Sequence, residues 1–263
     1  MATATSTRAV GDLLRDWRRR RRLSQLELSN EAGISTRHLS FLETGRSRPS
    51  REMILRLTER LDVPLRERNG LLMAAGFAPV YRERSIDAPE MRPARQALNK
   101  VLDGHEPYPA LVVDRGWNLL MANNAAMLFL ENVPEELVRP PVNVHRLALH
   151  PQGLAARVVN LPEVRAHLVA RMARLVALTG DAELKALHEE TKAYGGGEDD
   201  VPHEPVHDIV LPTRLRYGDR VLSFFSTVTT FGTAADVTLA ELAIEAFFPA
   251  DEETADYLRA RAA

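Results

Sequence analysis

The sequence predicts an α+β protein in two parts. Residues 1–80 form an all-α domain of five helices; after a linker at 81–93, residues 94–263 form an α+β domain with an antiparallel sheet. Three observations carry that expectation. Apolar residues recur at helical spacing through five segments before residue 80. Beyond residue 109, short apolar runs broken by Asp-Arg-Gly and Gly-Asp turns alternate with longer helical stretches. Charge divides along the same line: residues 1–80 hold 15 Arg, no Lys and 9 acids, whereas 81–263 hold 19 basic and 27 acidic residues, so a chain of net charge −2 has halves of +6 and −8.

A length of 263 residues suits two domains, and 45% apolar with 27% charged residues is ordinary globular composition. No apolar run approaches the roughly 18 residues of a membrane span. The start, MATATSTRAVGDLLRDW, meets charge before an apolar signal core can form, so a cytoplasmic location is expected. With no cysteine, disulfides, thiolate zinc sites and cysteine nucleophiles are excluded together. The basic-then-acidic split hints at a nucleic-acid module joined to an acidic partner domain, although solubility alone also produces such splits.

In the first part, Val10, Leu13, Leu14 and Trp17 fall at i, i+3, i+4, i+7 and give the first helix an apolar stripe. Its end is the run Arg18 to Arg22, which suits a helix C-terminus and is within reach of phosphates; a solvated helix end is the alternative. Ser24 caps a second helix from Gln25 to about Ala32, closed by Gly33. Ser35 caps a third, Thr36 to Glu43, with Leu39 and Leu42 inward and Gly45 as its stop. Pro49-Ser50 opens a fourth carrying Ile54, Leu57 and Leu61, and Pro64 opens a fifth through Leu71 and Leu72 to Ala75.

Two short helices joined by a tight glycine-containing turn, the second started by a Ser cap, form a helix-turn-helix pattern. The segment LSQLELSNEAGISTRHLSFLETGRSRPS, residues 23–50, resembles the Cro/C1-type (XRE-family) domain of phage repressors. It combines Gln after Leu-Ser, Ala-Gly-Ile-Ser at the turn, and Glu-x-Gly-x-x-x-Pro-Ser after the third helix. The resemblance implies a double-stranded DNA operator as partner and assigns roles by position. Gln25 would hydrogen-bond a phosphate. Ser35, Thr36, Arg37 and Phe41 would stand at the start and on the outer face of the helix that enters the major groove. Arg37 is suited to pair with guanine O6 and N7, and Phe41 to touch a thymine methyl. For Phe41, partial burial against the fourth helix is the competing expectation. Ser40, Thr44, Arg46 and Arg48 read as phosphate clamps.

Residues 79–93, PVYRERSIDAPEMRP, carry three prolines and no apolar period, as a linker does. A short helix with Ala94, Leu98, Val101 and Leu102 follows. Then PALVVDRGWNLLMANNAAMLFL (109–130) reads as a hairpin, Leu111–Val113 and Trp117–Met121, running into a helix capped by Asn123, which is how PAS-type sensor domains begin. Pro162–Leu178 and Asp181–Tyr194 look helical. Val206–Tyr217 and Arg220–Phe231 flank Gly218-Asp219 as a second hairpin. Leu239–Phe248 alternates like a last strand, yet Thr238-x-x-Glu241 is also a capping box; a C-terminal helix follows from Asp251.

The hairpin-helix at 109–130, NVHRLALHPQGLAARVVNLPEVR (143–165) and FGTAADVTLAELAIEAFFPADEETADYLR (231–259) resemble the ligand-binding domain of MmyB-like regulators, XRE-family proteins with a PAS-like C-terminal domain. The resemblance implies a small-molecule pocket, with long-chain fatty acids or similar lipids as the ligand class. The residues themselves show only many apolar side chains, and a filled core without ligand is equally compatible with them. His203-Glu204-Pro205-Val206-His207 matches the HExxH zinc-protease pattern, but Pro205 between the histidines breaks the helix that the metal geometry needs, at a cost of ~3 kcal/mol. His145 and His150 are candidates for pH sensing or ligand contact, or plain structural histidines. No Walker loop, nucleophile elbow or dinucleotide fingerprint is present, so no enzyme, cofactor or metal is expected. The expectation is a homodimeric transcription regulator that binds an operator and takes a small apolar ligand, or one whose second domain only dimerises or recruits a protein.

Overall fold

The computed structural model describes residues 9–195, 211–232 and 236–262. These fall into two compact units: one extends to Arg84 and takes in Asp236 and Val237, and the other begins at Ser85.

The first unit is helical. Its helices are α1 (Val10–Arg20), α2 (Gln25–Ala32), α3 (Thr36–Glu43), α4 (Arg51–Arg60) and α5 (Leu65–Ala74), of which α2, α3 and α4 start where their Ser caps place them. Ser24 and Glu27 form a reciprocal capping box, Ser35 Oγ accepts from His38 N–H, and Ser50 Oγ accepts from Met53 N–H. Gly33 sits at φ 64°, the left-handed conformation that ends α2 without strain. Leu14, Trp17, Leu28, Leu39, Leu42, Ile54, Leu57, Leu61, Leu71 and Leu72 then share one core. Past α5, Asn69 holds the following segment: its Oδ1 accepts from Val80 and Tyr81 N–H at 3.0 and 3.1 Å, and its Nδ2 donates to Tyr81 O at 2.7 Å.

The second unit is α+β with an antiparallel sheet, as expected. Helix α6 (Arg92–Gly104) leads into β1 (Ala110–Val113) and β2 (Leu119–Ala122); a 3₁₀ turn at Ala125–Phe129 and helices α7 (Glu135–Val138), α8 (Val144–Leu149), α9 (Leu161–Thr179) and α10 (Ala182–Lys192) follow. Strands β3 (Thr213–Tyr217) and β4 (Arg220–Thr230) turn on Gly218, then come α11 (Val237–Glu241), β5 (Ala243–Pro249) and α12 (Glu252–Ala262). Among the described residues the strands form one antiparallel sheet in the order β2-β1-β5-β4-β3. The last strand pairs with both β1 and β4, Val112 facing Ile244 and Phe225 facing Phe248.

Three local expectations need correction. The 239–248 segment is not one element: α11 takes the capping-box end and β5 begins at Ala243, because alternation continues only where β1 and β4 flank the chain. Asn123 leads into a 3₁₀ turn, not an α-helix. Val101 is 48% exposed while Leu98 and Leu102 are buried, so the inward stripe of α6 is narrower than its apolar residues suggest. The start of the expected 206–217 strand, and the whole His203–His207 run, lie outside the described residues. No helix among the described residues is long and apolar enough to cross a membrane.

Asn123 is the polar fastener of this unit. Its Oδ1 accepts from Ala110 and Ala126 N–H at 2.9 and 3.1 Å, and its Nδ2 donates to Tyr108 O at 2.8 Å and Leu102 O at 3.3 Å. Asn123→Ala leaves several buried backbone groups without partners and is expected to cost about 3 kcal/mol in denaturant unfolding; a loss below ~1 kcal/mol would show that water replaces the side chain.

Candidate functional site

Helix α3 buries Leu39, Leu42 and Glu43, which turns the opposite side, residues 36, 37, 40, 41 and 44, outward. What sets this rotation is Glu43. Its carboxylate has no solvent exposure and is held by Arg18 through two bonds, Nε–Oε1 at 2.7 Å and Nη2–Oε2 at 2.8 Å. Gln25 Nε2 donates to the same carboxylate at 2.9 Å, and Arg15 Nη2 donates to the Glu43 carbonyl at 2.7 Å. Burial alone would raise the Glu43 pKa, but the hydrogen bonds from Arg18 and Gln25 and the charges of Arg18 and Arg15 outweigh it and hold the group below its ordinary value. Gly11 on α1 lies directly against this corner, where a Cβ would stand 2.5 Å from Leu42 O and 2.8 Å from Glu43 O.

The outward residues divide by environment. Arg37 is exposed, with its guanidinium carbon 5.3 Å from the Phe41 ring centroid; Arg46 flanks the same ring at 5.8 Å. Phe41 is half-buried between these two cations, a polar setting for an aromatic ring. Thr36 Oγ1 lies 2.9 Å from Ser29 Oγ, so its hydroxyl is engaged with α2. Thr44 Oγ1 donates to Ser40 O at 2.7 Å, and Thr44, Arg46 and Arg48 are exposed around the end of α3. Ser35 is exposed and occupied as the cap of α3. Gln25 is half-buried at the start of α2, with its amide nitrogen on Glu43.

The arginine run separates into structural and surface members. Arg18 belongs to the Glu43 pair. Arg21 closes the end of α4, its Nε and Nη2 donating to Leu61 O and Asp62 O, each at 2.7 Å. Arg19, Arg20 and Arg22 are exposed. Sequence reasoning missed Glu43 as a hub. The available signal was a carboxylate on the inward stripe, one residue after Leu42 and four after Leu39.

The second unit holds a cavity of about 400 Å³. Sheet residues Leu111, Leu119, Phe224 and Phe247 form one wall; Met127 and Phe129, then Val144 and Leu147 of α8 and Val164 and Leu168 of α9, form the rest. Polar side chains also reach it: His145, His167, Arg171, Ser226 and Glu245. Arg171 lies 4.3 Å over the Trp117 ring, its Nη1 3.3 Å from Glu245 Oε1, which also accepts from Ser226 Oγ at 3.0 Å. His145 is buried and its Nε2 has no partner among the described residues. Burial, then the positive charges of Arg171 and His188, pull its pKa down to about 4, so the ring is neutral at physiological pH. His150 does not line the cavity; its Nδ1 accepts from Gln152 N–H at 3.1 Å and its ring meets Tyr194 edge-on.

A capped helix-turn-helix joined to an α+β unit with an apolar cavity defines a DNA-binding transcription regulator with a ligand-binding domain. The chain belongs to the MmyB-like transcription regulators: the family described as "MmyB-like transcription regulator ligand binding domain" matches residues 94–260, and a helix-turn-helix family matches 14–68. Among solved structures, the PAS domain from Bordetella pertussis BvgS is similar at 18% identity, with a TM-score of 0.26, over 64% of this chain and 93% of that one. No curated protein matches.

Two outcomes follow from this geometry. Arg18→Ala leaves the Glu43 carboxylate buried with Gln25 and Arg15 only, and is expected to cost about 3 kcal/mol in unfolding of the helical unit; a cost under ~1 kcal/mol would mean that the pair is replaceable. For His145, the folded pKa is depressed from 6.5 to about 4, so its contribution is complete above pH 6.5 and is lost as pH falls toward 4. His145→Phe should therefore lack a pH-dependent loss of about 3 kcal/mol that the native chain shows across that window, read as the difference between the two stability–pH curves. Parallel curves would place a charged or solvated imidazole there.

Proposed function

We propose that this protein is a homodimeric, sequence-specific operator-binding regulator, cytoplasmic and not an enzyme, whose C-terminal unit takes a small apolar, lipid-like ligand. The observation that carries this reading is the outward face of α3, where the exposed Arg37 and, from just beyond the helix, the exposed Arg46 flank the half-buried Phe41 ring while Glu43 fixes the helix from behind. Arg37 reads guanine through O6 and N7, the Phe41 ring meets a thymine methyl, and Thr36 stands at the start of the reading face. Gln25, Ser35, Ser40, Thr44, Arg46 and Arg48 surround it as backbone contacts that set orientation but carry no sequence information.

Two such helices must reach half-sites about one helical turn, or a multiple of it, apart, so an element that sets their spacing controls affinity. Ligand acts only through unequal affinity for the two arrangements. The apolar cavity of about 400 Å³ supports an effector over a domain that merely dimerises.

Arg37 and Gln25 separate readout from clamping. Arg37→Ala is expected to cost ~1–3 kcal/mol on the operator, relax preference at one base pair per half-site, and weaken random-duplex binding much less. Gln25→Ala should weaken both duplexes similarly with little change in salt slope, because no cation is lost, and should also lower stability, since Glu43 loses a donor. Titrations of both variants on both duplexes at several salt concentrations check this. Equal losses for Arg37→Ala on the two duplexes would make Arg37 a backbone clamp and move readout to Thr36 and Phe41.

A further inference from the structure

The first unit is closed by two residues from far along the chain. Asp236 and Val237 belong to it, although 152 positions separate Asp236 from its partner Arg84. We propose that Asp236 is a positioning residue for operator binding: with Arg84 it fastens the chain that leaves α5, and through α11 it ties that fastening to the strand that walls the cavity. The proposal rests on the operator-binding reading above and goes beyond it by naming the residues through which the C-terminal chain acts on the helix-turn-helix.

The fastening combines backbone and side chain. Residues 82 and 236 form a parallel bridge in which Val237 N–H donates to Arg82 O at 2.8 Å, and Arg84 Nη1 donates to Asp236 Oδ2 at 2.7 Å. Both distant residues are enclosed: Val237 is 0% exposed and Asp236 8%. A carboxylate so enclosed needs partners in the protein, and losing one costs far more there than in water.

Upstream, the chain is held in steps back to α5. Asn69 binds Val80 and Tyr81 through three hydrogen bonds, Arg68 Nη1 donates to Tyr81 Oη at 3.3 Å, and Arg66 pairs with Glu83 at 2.7 Å. Leu71 and Leu72 of the same helix enter the core that Leu39 and Leu42 of α3 share. Residues 80–84, where prolines and charges read as a linker, therefore belong to the same unit as the recognition helix. Downstream, Val237 opens α11, a helix of five residues. Glu241 at its other end lies 3.3 Å from Arg115 Nη1, and Arg115 also pairs with Asp181, the cap of α10. The chain then enters β5, where Ile244 pairs with Val112 and Glu245 and Phe247 line the cavity. A helix this short, held at both ends, has little slack, so displacement of β5 reaches Asp236, and the coupling runs equally in reverse. In a dimer both recognition helices must meet their half-sites together. A loosened fastening widens the range of helix positions and weakens a paired site, while random DNA, held by phosphate contacts, is bound almost as before.

The test uses the full chain, a duplex that the native chain selects from a random-sequence library, and an unselected duplex of the same length. Asp236→Asn and Arg84→Gln remove the charges of the pair with little change in size. Each is expected to weaken the selected duplex about tenfold and the unselected one less than about twofold, and the double variant to weaken the selected duplex no further, since both act through one pair. Glu241→Gln, at the far end of α11, is expected to weaken the selected duplex about threefold with the unselected one unchanged. Unchanged affinity in Asp236→Asn and Arg84→Gln, or equal losses on both duplexes, overturns the positioning role while operator binding stands. Loss in those two variants with none in Glu241→Gln overturns the route through α11. A native chain that binds both duplexes alike overturns the operator-binding reading and this proposal together. Either variant of the pair decides the matter if the other fails to fold.

Discussion

The helical unit depends on one buried carboxylate. Apolar burial gathers α1, α2 and α3 but is non-directional, so it does not by itself fix how far α3 is rotated. Glu43 does. An ion with no solvent exposure must find its partners in the protein, and these come from three places at once: Arg18 and Arg15 on α1, and Gln25 at the start of α2. With Glu43 pinned inward at the last residue of α3, Arg37 and Phe41 can only face out. Gly11 completes the constraint, since any side chain there would push α1 away from the Leu42 and Glu43 carbonyls. Gln25 thereby links two tasks: it completes the buried cluster and stands at the helix start where a phosphate contact is proposed.

The second unit is organised around a different compromise. Its sheet and helices enclose apolar surface without filling it, and the polar side chains that reach the cavity are mostly paired among themselves. Asn123 and the Arg171–Glu245–Ser226 cluster show the two uses of buried polarity: the first closes backbone hydrogen bonds, and the second places charge and hydrogen-bonding capacity inside an apolar wall. A ligand seated there would stabilise the folded unit by mass action, which links occupancy to the population of any arrangement it favours.

The helical half was legible because its signals are local. Ser24, Ser35 and Ser50 are caps a few residues from the N–H groups they satisfy, and Gly33 marks a left-handed stop. Glu43 and Arg18 were not legible as a pair, because they are 25 residues apart and a charge run at a helix end looks like surface. Arg21 was hidden in the same run. The β5 region defeated periodicity because two elements share one alternating stretch, and only pairing with β1 and β4 decides where the strand begins. The cavity was the least legible feature: Leu111, Phe224 and Phe247 would look the same in a filled core, and His145, His167, Arg171, Ser226 and Glu245, which reach it, lie in four separate stretches of chain.

The central claim is that Glu43 is ionised while buried, and a carboxyl carbon-13 NMR titration of the folded chain tests it directly. The account predicts that Glu43 titrates below the ordinary glutamate value of about 4.3 and that the α1 and α3 amide signals shift with it. A midpoint at or above that value, with the helical unit still folded, would show that Glu43 is not held by Arg18 and Gln25 and would remove the constraint that orients α3.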